Sequence, residues 1–236
     1  MKFKFEDLIC YENEHFLVVN KPAGMASLDD RNDPQNVQKL AKQYFEDLSV
    51  CHRLDKETSG CLLLAKGPEA YRHASIQFEK RTIKKVYHAF VNGLTEFRDT
   101  KVQLSILPLD KGNVVINREK GKDAETYFTT LENYKFNSLV ECRPITGRMH
   151  QIRIHLATLK APIINDEMYG GQILYLSQLK KNFNQKREED ERSIIQRFAL
   201  HAYALTFDNF LEQITVKADY PKDLQVLSKQ LQKYRR

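Results

Sequence analysis

The stretch CHRLDKETSGCLLLAK, residues 51–66, decides the interpretation of this chain because it sets a knot of polar residues against an apolar run. Charged or hydroxyl side chains fill almost every position from His52 to Ser59, and three leucines follow shortly after. The leucines predict a buried strand, and Thr58–Gly60 is typical of a turn. A turn does not account for Arg53 and Asp55, one residue apart beside a strand that should be dry.

The composition predicts one soluble domain over residues 1–236, with 42% hydrophobic and 29% charged residues. The sequence contains no run of about 20 apolar residues such as a membrane span needs, and its first residues lack the apolar core of a signal peptide. Four scattered cysteines form no CxxC pair, which predicts reduced thiols and neither a disulfide framework nor a zinc site. We therefore expect a cytoplasmic, monomeric protein without membrane contact.

The charge balance leaves the partner open. Lysine and arginine total 37 against 31 acidic residues, which gives a net charge of +6. A basic chain is compatible with a polyanionic partner such as RNA or DNA, but many basic proteins never bind nucleic acid.

Periodicity along the chain predicts more strands than helices. Apolar runs predict strands in the segments 16–21, 61–67, 85–93, 123–134, 137–145, 196–209 and 211–220. Helical spacing predicts helices over 34–47, 68–81 and 148–160 and after Pro221, although the third also alternates like a strand. Because strands and helices do not alternate strictly, the expected fold class is α+β, with a largely antiparallel mixed sheet flanked by helices. The charged segment 172–193 is predicted to be an exposed insertion.

Several familiar sites are missing from the sequence. No phosphate-binding GxxxxGK[ST] or GxGxxG motif, no HExxH zinc motif and no GxSxG elbow occurs, so we expect no nucleotide cofactor and no metal. Ser59 with a distant histidine would make a nucleophile pair, but nothing in the sequence singles that pair out.

Asp55 and Arg153 are the remaining candidates for chemistry. A carboxylate can act as a covalent nucleophile if it stays ionised in a partly dry site, and a guanidinium beside it would favour that state. Arg153 lies among apolar residues that should bury its stem. Such a pair is more commonly a structural salt bridge, and the residues alone leave both interpretations open.

Five segments resemble the RluA family of RNA pseudouridine synthases, in the order in which that family has them. The segment HRLDKETSG is similar to the family signature HRLDxxTSG. The others are EHFLVVNKPAGM, FEKRTIKKVYHAFVNG, RPITGRMHQIRIHLATLKAPIINDEMYG and ALHAYALTF. The resemblance extends from about Leu8 to Tyr220 and implies the pseudouridine synthase catalytic fold.

The resemblance also implies a reaction and its catalytic residues. Members of the family break the N1–C1′ bond of a flipped-out uridine in ribosomal or transfer RNA and rejoin C5 to C1′, without a cofactor. Asp55 matches the aspartate that attacks C1′ or assists departure of the base. Tyr87 matches the tyrosine that stacks on the base and is implicated in removal of the C5 proton, and Arg153 matches the arginine that pairs with the aspartate.

RNA contacts are expected around these three residues. Arg53 matches a residue thought to fill the stack that the flipped nucleotide leaves, and Leu200 matches a hydrophobic wall of the pocket. The remaining expected substrate or RNA contacts are Lys21, His52, Lys85, Arg148, His150 and Gln151. For His52, the alternative is a side chain that fixes the loop by hydrogen bonding.

Two departures put the substrate in doubt more than the reaction. Many members carry an RNA-binding domain of the S4 type ahead of this point, whereas here the first strand of the family begins almost at Met1. The segment FDNFLEQ, residues 207–213, replaces a His-Pro turn common in the family. The rival functions are a non-catalytic RNA-binding protein and a hydrolase that uses the same carboxylate. The first should have lost Asp55, Tyr87 or Arg153, and the second should show another acidic motif.

Overall fold

The computed structural model describes residues 4–29, 35–110, 112–180, 183 and 191–235, which group into two compact units. The first unit comprises Met1–Tyr87 and His201–Asp219, and the second comprises His88–Leu200 and Tyr220–Arg236. The single domain expected over residues 1–236 is a statement about cooperative folding, which this grouping does not test, and it stays a prediction.

The first unit is built on a mixed sheet. Its elements are a 3-10 helix Phe5–Leu8, β1 Ile9–Glu12, β2 Phe16–Lys21, α1 Val37–Tyr44, β3 Leu48–Val50, β4 Ser59–Lys66, α2 Gly67–Glu79, the start of β5 Lys84–Asn92, β11 Leu200–Asp208 from His201 onward, and β12 Gln213–Lys217. The strands lie in the order β1-β2-β4-β11-β12, and β3 also pairs with β4. All these pairs are antiparallel except β4 with β11, which is parallel.

Both faces of this sheet are buried, and the consecutive apolar residues of β2 and β4 supply side chains to both. Phe16 and Val18 join Leu63 in one core cluster, with helix α2 above it. The alternate residues of β2 and β4 form a second cluster, with Val37 and Ala41 of α1. An uninterrupted apolar run is what a strand covered on both faces requires, and it places the loop before β4 over a dry core.

The second unit contains the rest of β5 and the elements β6 Thr100–Gln103, β7 Ile106–Pro108, β8 Val114–Ile116, β9 Glu125–Asn133, β10 Asn137–Pro144, α3 Gln151–Thr158, a 3-10 helix Glu167–Tyr169, α4 Leu176–Leu179 and α5 Lys222–Lys233. Its main strands lie in the order β5-β10-β9-β6, and β7 pairs with β8 in a separate hairpin. Ile154 of α3 packs on Ile106, Val114 and Ala124, so the hairpin and the helix share one small core.

The α+β prediction is confirmed, as are the strands now named β2, β4, β5, β9 and β10, the antiparallel pair β11–β12 and the helices α2, α3 and α5. The 34–47 helix was predicted too long. It spans Val37–Tyr44, and Phe45 is extended and 45% exposed, so Phe45 does not continue the buried face. The β9–β10 pair was predicted to turn near Asn137–Ser138, and this is confirmed: the connection directly precedes Asn137, whose carbonyl accepts the amide of Tyr134 at 2.8 Å.

The turn predicted at Thr58–Gly60 lies slightly earlier in the chain. The turn lies at Lys56–Glu57, where the amide of Thr58 donates to the carbonyl of Asp55 at 3.0 Å. Ser59 and Gly60 already belong to β4. Gly60 has φ +112°, and a Cβ there would lie 2.2 Å from the carbonyl oxygen of Ala202, so the close approach of β11 requires glycine.

The predicted exposed insertion at 172–193 lies partly outside the described residues. Of its described part, α4 is helical and Leu174 and Leu179 are buried, so that part is not a plain solvated loop. No helix among the described residues combines the length and apolar character needed to span a membrane. The four cysteines are free: Cys61 and Cys142 are buried, Cys51 is half-buried and Cys10 is exposed.

Candidate active site

The loop that carries Asp55 is tied to the core on both sides of the carboxylate. Leu54 is buried, and its amide and carbonyl both bond to the hydroxyl of Ser27 at 3.1 Å. Because Leu54 points into the core, Arg53 on one side is exposed and Asp55 on the other is half-buried at the surface. Because the Leu54 backbone is held by Ser27 through both its amide and its carbonyl, the neighbouring Asp55 carboxylate projects from a fixed backbone.

A buried ammonium joins this loop to the Lys-Pro-x-Gly loop. The Nζ of Lys21 donates to the carbonyls of Pro22 at 2.9 Å, Met25 at 2.7 Å and Lys56 at 2.9 Å. The amide of Gly24 donates to the same Lys56 carbonyl at 2.9 Å. Lys21 is 0% exposed, so the predicted RNA contact is corrected: its charge is used inside the protein to hold two loops together.

His52 fixes the entry to the loop. Its Nε2 accepts the amide of Leu63 at 3.1 Å, which places the ring proton of neutral His52 on Nδ1, and the ring packs 5.0 Å from that of Phe78. Burial, followed by the positive charge of Lys85, lowers the pKa of His52 to about 3. These contacts match the loop-fixing alternative, and an RNA contact of His52 stays a prediction.

Lys85 and Tyr87 come from the first half of β5 and are both half-buried. Burial, together with the charge of Arg81, lowers the pKa of Lys85 to about 8. Tyr87 packs against the core cluster that contains Leu54 and Ala202. The ring of Tyr87 thus rests on the same cluster that anchors the Asp55 loop, within the first unit.

Ser59 and His201 form a buried pair at the start of β4. In the neutral imidazole, His201 Nε2 donates to the Ala218 carbonyl at 3.0 Å, so its Nδ1 accepts from the Ser59 hydroxyl at 2.8 Å. Both residues are 0% exposed. The histidine partner that the sequence left unidentified exists, but its place inside the core indicates that the pair locks β4 to β11 and β12 and does not meet a substrate.

In the second unit, Arg153 lies on α3 with 5% exposure, which confirms that its stem is buried. Its Nε and Nη2 each donate to a carboxylate oxygen of Asp166 at 2.7 Å. The guanidinium carbon lies 4.9 Å from the ring centre of Tyr169 and 4.3 Å from that of Phe198. Sequence reasoning missed these three partners. The segment INDEMYG carried a signal, a carboxylate and a tyrosine three residues apart after a predicted helix.

Three predicted contacts precede Arg153 in the chain, and the structure separates them. Gln151 is 4% exposed and has all its polar atoms engaged, because Oε1 accepts from Thr146 and Arg148 while Nε2 donates to Glu125 and Thr126. Its predicted RNA contact is therefore corrected to a structural role.

Arg148 and His150 are half-buried, and for these two residues the prediction of an RNA contact stands. The Nε of Arg148 donates to the carbonyl of Asp123 at 3.1 Å. The Nδ1 of His150 is hydrogen-bonded to the hydroxyl of Tyr169 at 2.8 Å.

Leu200 is buried at 3% exposure at the start of β11, and its carbonyl accepts from Arg197 at 3.1 Å. A pocket wall is compatible with such a buried apolar side chain. Among the described residues, no group of three or more His, Cys, Asp or Glu side chains is placed to hold a metal ion.

The family model for RNA pseudouridylate synthase matches residues 15–158 of the chain. The chain is 35% identical over 172 residues to ribosomal large subunit pseudouridine synthase C of Vibrio parahaemolyticus, covering 72% of this chain and 55% of that enzyme. It is 34% identical to an uncharacterised RNA pseudouridine synthase of Zymomonas mobilis, covering 87% and 90% of the two chains. The chain thus spans little more than half of the Vibrio relative.

A solved structure extends the likeness to the fold. The structure of human RNA pseudouridylate synthase domain containing 4 superposes with a TM-score of 0.76 at 25% identity, covering 97% of this chain and 95% of the human one.

Proposed function

Because the chain belongs to the RNA pseudouridylate synthase family, we propose that it isomerises uridine in RNA to pseudouridine. The observation that carries this proposal is the Asp55 loop, in which the signature HRLDxxTSG presents one half-buried carboxylate from a backbone anchored by Ser27 and Lys21. Nucleophilic catalysis needs a carboxylate whose position is held by its surroundings, and those ties supply that support.

The proposed reaction exchanges one bond for another. The target uridine leaves its stack, at a cost of a few kcal/mol, and enters the site. Asp55 attacks C1′ or assists departure of the base as the N1–C1′ bond breaks, the base turns, and C5 bonds to C1′. Tyr87 stacks on the base and serves in removal of the C5 proton. Arg153 serves the aspartate, and these roles rest on the motif matches.

Large-subunit ribosomal RNA is the substrate that we propose first, because the Vibrio relative is a ribosomal large subunit pseudouridine synthase. Transfer RNA is the alternative. Mapping pseudouridines in total RNA from cells with and without the gene separates them: a site lost from large-subunit RNA supports the first, and a site lost only from transfer RNA supports the second. The same map identifies the uridine.

We also propose that the protein acts as a cytoplasmic monomer and needs neither metal nor nucleotide cofactor. The cofactor part follows from the chemistry, since the isomerisation has no net redox change and transfers no group to another molecule. Turnover of a short unstructured RNA in EDTA, sedimentation of the purified protein and cell fractionation test these three statements.

The first prediction tests the function itself. Asp55→Asn keeps the shape of the side chain but removes its charge, so tritium release from RNA labelled at uridine C5 should fall by at least about 10³-fold. RNA affinity should change little, because binding rests mainly on phosphate contacts.

Glu57→Gln is the matched control, since Glu57 is half-buried in the same loop and has no proposed role. It should keep the wild-type rate. Easily measured turnover by the Asp55 variant would remove Asp55 from its role, and an inactive wild type would refute the function.

A further inference from the structure

The pairing of Arg153 with Asp166 has a geometry that fixes direction as well as charge. Nε and Nη2 form one edge of the guanidinium, and both carboxylate oxygens of Asp166 meet that edge at 2.7 Å. A two-point contact of this kind restricts rotation of the guanidinium within its plane and about the Cδ–Nε bond. Asp166 thereby also sets the direction of Nη1, which lies in the same plane but away from the bonded edge.

Aromatic rings confine the same group. The centres of the Tyr169 and Phe198 rings lie 4.9 Å and 4.3 Å from Cζ of Arg153. The Tyr169 hydroxyl is itself held, because it accepts the amide of Val114 at 3.1 Å and bonds to His150 at 2.8 Å. The rings restrict tilting of the guanidinium, while Asp166 restricts rotation within its plane.

Asp166 is anchored by its own backbone. Its amide donates to the Ile163 carbonyl at 3.0 Å, and its carbonyl accepts the amides of Tyr169 at 3.0 Å and Gly171 at 2.8 Å. A Cβ on Gly171 would lie 1.9 Å from the carbonyl oxygen of Ile163, so this tight turn requires glycine. The carboxylate therefore projects from a turn with little freedom to adapt.

Stability is a weak reason for such an arrangement. The side chains of Arg153 and Asp166 are 6% and 1% exposed, and removing two charges from water offsets most of their attraction. In proteins generally, replacing a buried ion pair by apolar residues of similar volume is often neutral or stabilising. A buried ion pair whose arginine matches a catalytic position is better explained by the orientation that it gives.

We propose that Asp166 is a positioning residue, which holds the guanidinium of Arg153 in the direction that the reaction requires. This inference rests on the proposed function, in which Arg153 serves the catalytic aspartate. Asp166 itself is not proposed to touch the RNA.

The test separates chemistry from binding, using a transcript of large-subunit ribosomal RNA labelled with tritium at uridine C5. Asp166→Asn should lower the single-turnover rate constant at least 100-fold and change the RNA Kd less than threefold. Glu12→Gln is the control, because it removes the carboxylate that bonds to the largely buried Lys66 at 2.6 Å, in the other unit. It should change both quantities less than threefold, and circular dichroism should show each variant folded before its rate is compared.

Two further variants distinguish positioning from general support. In an Arg153→Ala background, Asp166→Asn should lower the rate less than threefold more, because a residue that acts through Arg153 loses its effect when Arg153 is gone. Asp166→Glu keeps the charge but displaces the carboxylate by one methylene. It should lower the rate at least tenfold, which keeps the test decisive if Asp166→Asn does not fold.

A spectroscopic readout is independent of activity. The Nε–H of Arg153 should give a resolved, slowly exchanging nitrogen-15 signal in the wild type and in Glu12→Gln. The signal should be absent from Asp166→Asn. If Asp166→Asn does not fold, Asp166→Glu is measured in its place and should lack the signal. A wild-type rate in Asp166→Glu, an equal loss in the Arg153→Ala background, or an Arg153 signal that exchanges fast in the wild type would overturn the proposal. If the wild type is inactive on this transcript, the same variants are compared on labelled transfer RNA, the alternative substrate. A wild type inactive on both RNAs would instead refute the proposed function, so the two failures are distinguishable.

Discussion

Lys21 shows how one buried residue can hold the Asp55 loop from inside the protein. An ammonium inside a protein is costly unless its protons are donated, and here three carbonyls accept them. Two of those carbonyls belong to the loop after β2, and the third belongs to Lys56, directly after Asp55. The lysine thus joins the loop after β2 to the Asp55 loop.

The second prediction follows from that support. Lys21→Met keeps the volume of the stem but removes a donor from the carbonyls of Pro22, Met25 and Lys56, of which that of Lys56 keeps the Gly24 amide. We therefore expect a loss of about 3–5 kcal/mol in the free energy of unfolding. Lys84→Met is the control, since Lys84 is exposed, and it should change stability by less than about 0.5 kcal/mol. Urea unfolding measures both, and equal midpoints for the two variants would contradict this role of Lys21.

The third prediction concerns His52 and pH. Its pKa is lowered from 6.5 to about 3 in the folded protein, so below pH 6.5 the unfolded chain binds a proton that the folded chain does not. Stability from this group is therefore complete above pH 6.5 and falls as the pH drops toward 3. The slope is at most about 1.4 kcal/mol per pH unit for one proton.

His52→Gln keeps an acceptor for the Leu63 amide but does not titrate in this range. Its unfolding free energy should decline less steeply than that of the wild type between pH 6.5 and 4, measured by urea titration at each pH. Parallel curves would show that His52 is protonated at its ordinary pH in the folded protein.

At the scale of elements, the contact of β4 with β11 fixes the residue at which the Asp55 loop ends and β4 begins. Gly60 lies where the two strands run parallel, beside Ala202, and the Ser59–His201 bond closes the same position. The end of the loop is therefore set by strand packing.

The fourth prediction tests this contact. Gly60→Ala places a Cβ 2.2 Å from a backbone oxygen, which neither strand can avoid, and we expect a loss above about 3 kcal/mol. Gly67→Ala is the control: Gly67 has φ +84°, but a Cβ there would meet nothing within 4 Å, so backbone strain alone should cost about 1–2 kcal/mol. Similar losses, measured by thermal and urea unfolding, would mean that the strands can separate without penalty.

The elements that sequence reasoning identified are those with a strong local pattern. Consecutive apolar residues identified β4, and a proline at the first turn identified α2. The short strands β1, β3, β6, β7 and β8 were not predicted, because three or four residues are too few to show a period. Phe45 has the spacing of its helix but lies beyond its end, because α1 ends at Tyr44 and the backbone of Phe45 is extended.

The candidate site shows the same limit. Asp55 and Arg153 were identified from motif and resemblance, but motifs do not report burial. Only the fold reveals that Lys21 and Gln151 have their polar groups engaged inside the protein. Asp166 is 13 residues from Arg153 in the chain, and a turn that depends on Gly171 brings the two side chains together. Such a contact leaves no periodic trace in the sequence.

For the whole molecule, the family assignment and the substrate rest on different grounds. The family is shown by a match over residues 15–158, which contains Asp55, Tyr87 and Arg153. Substrate choice in RNA recognition depends on shape and on contacts outside the reacting base. The net charge of +6 suits an RNA partner without selecting one. Mapping of the modified uridine is therefore the experiment that gives most information about the whole protein.

The fifth prediction is that the two buried cysteines report the opening of the two compact units separately. Cys61 lies in the first unit and Cys142 in the second, at 1% and 0% exposure, and burial raises the pKa of both thiols, that of Cys61 to about 12. Neither can be alkylated until its surroundings open.

Alkylation followed site by site by mass spectrometry should then report two opening equilibria, with exposed Cys10 as the fast reference. If residues 1–236 fold as one domain, the two thiols should be protected by the same factor and should lose that protection at the same urea concentration. Unequal protection would mean that one unit opens while the other stays closed, and the chain would then contain two folding units.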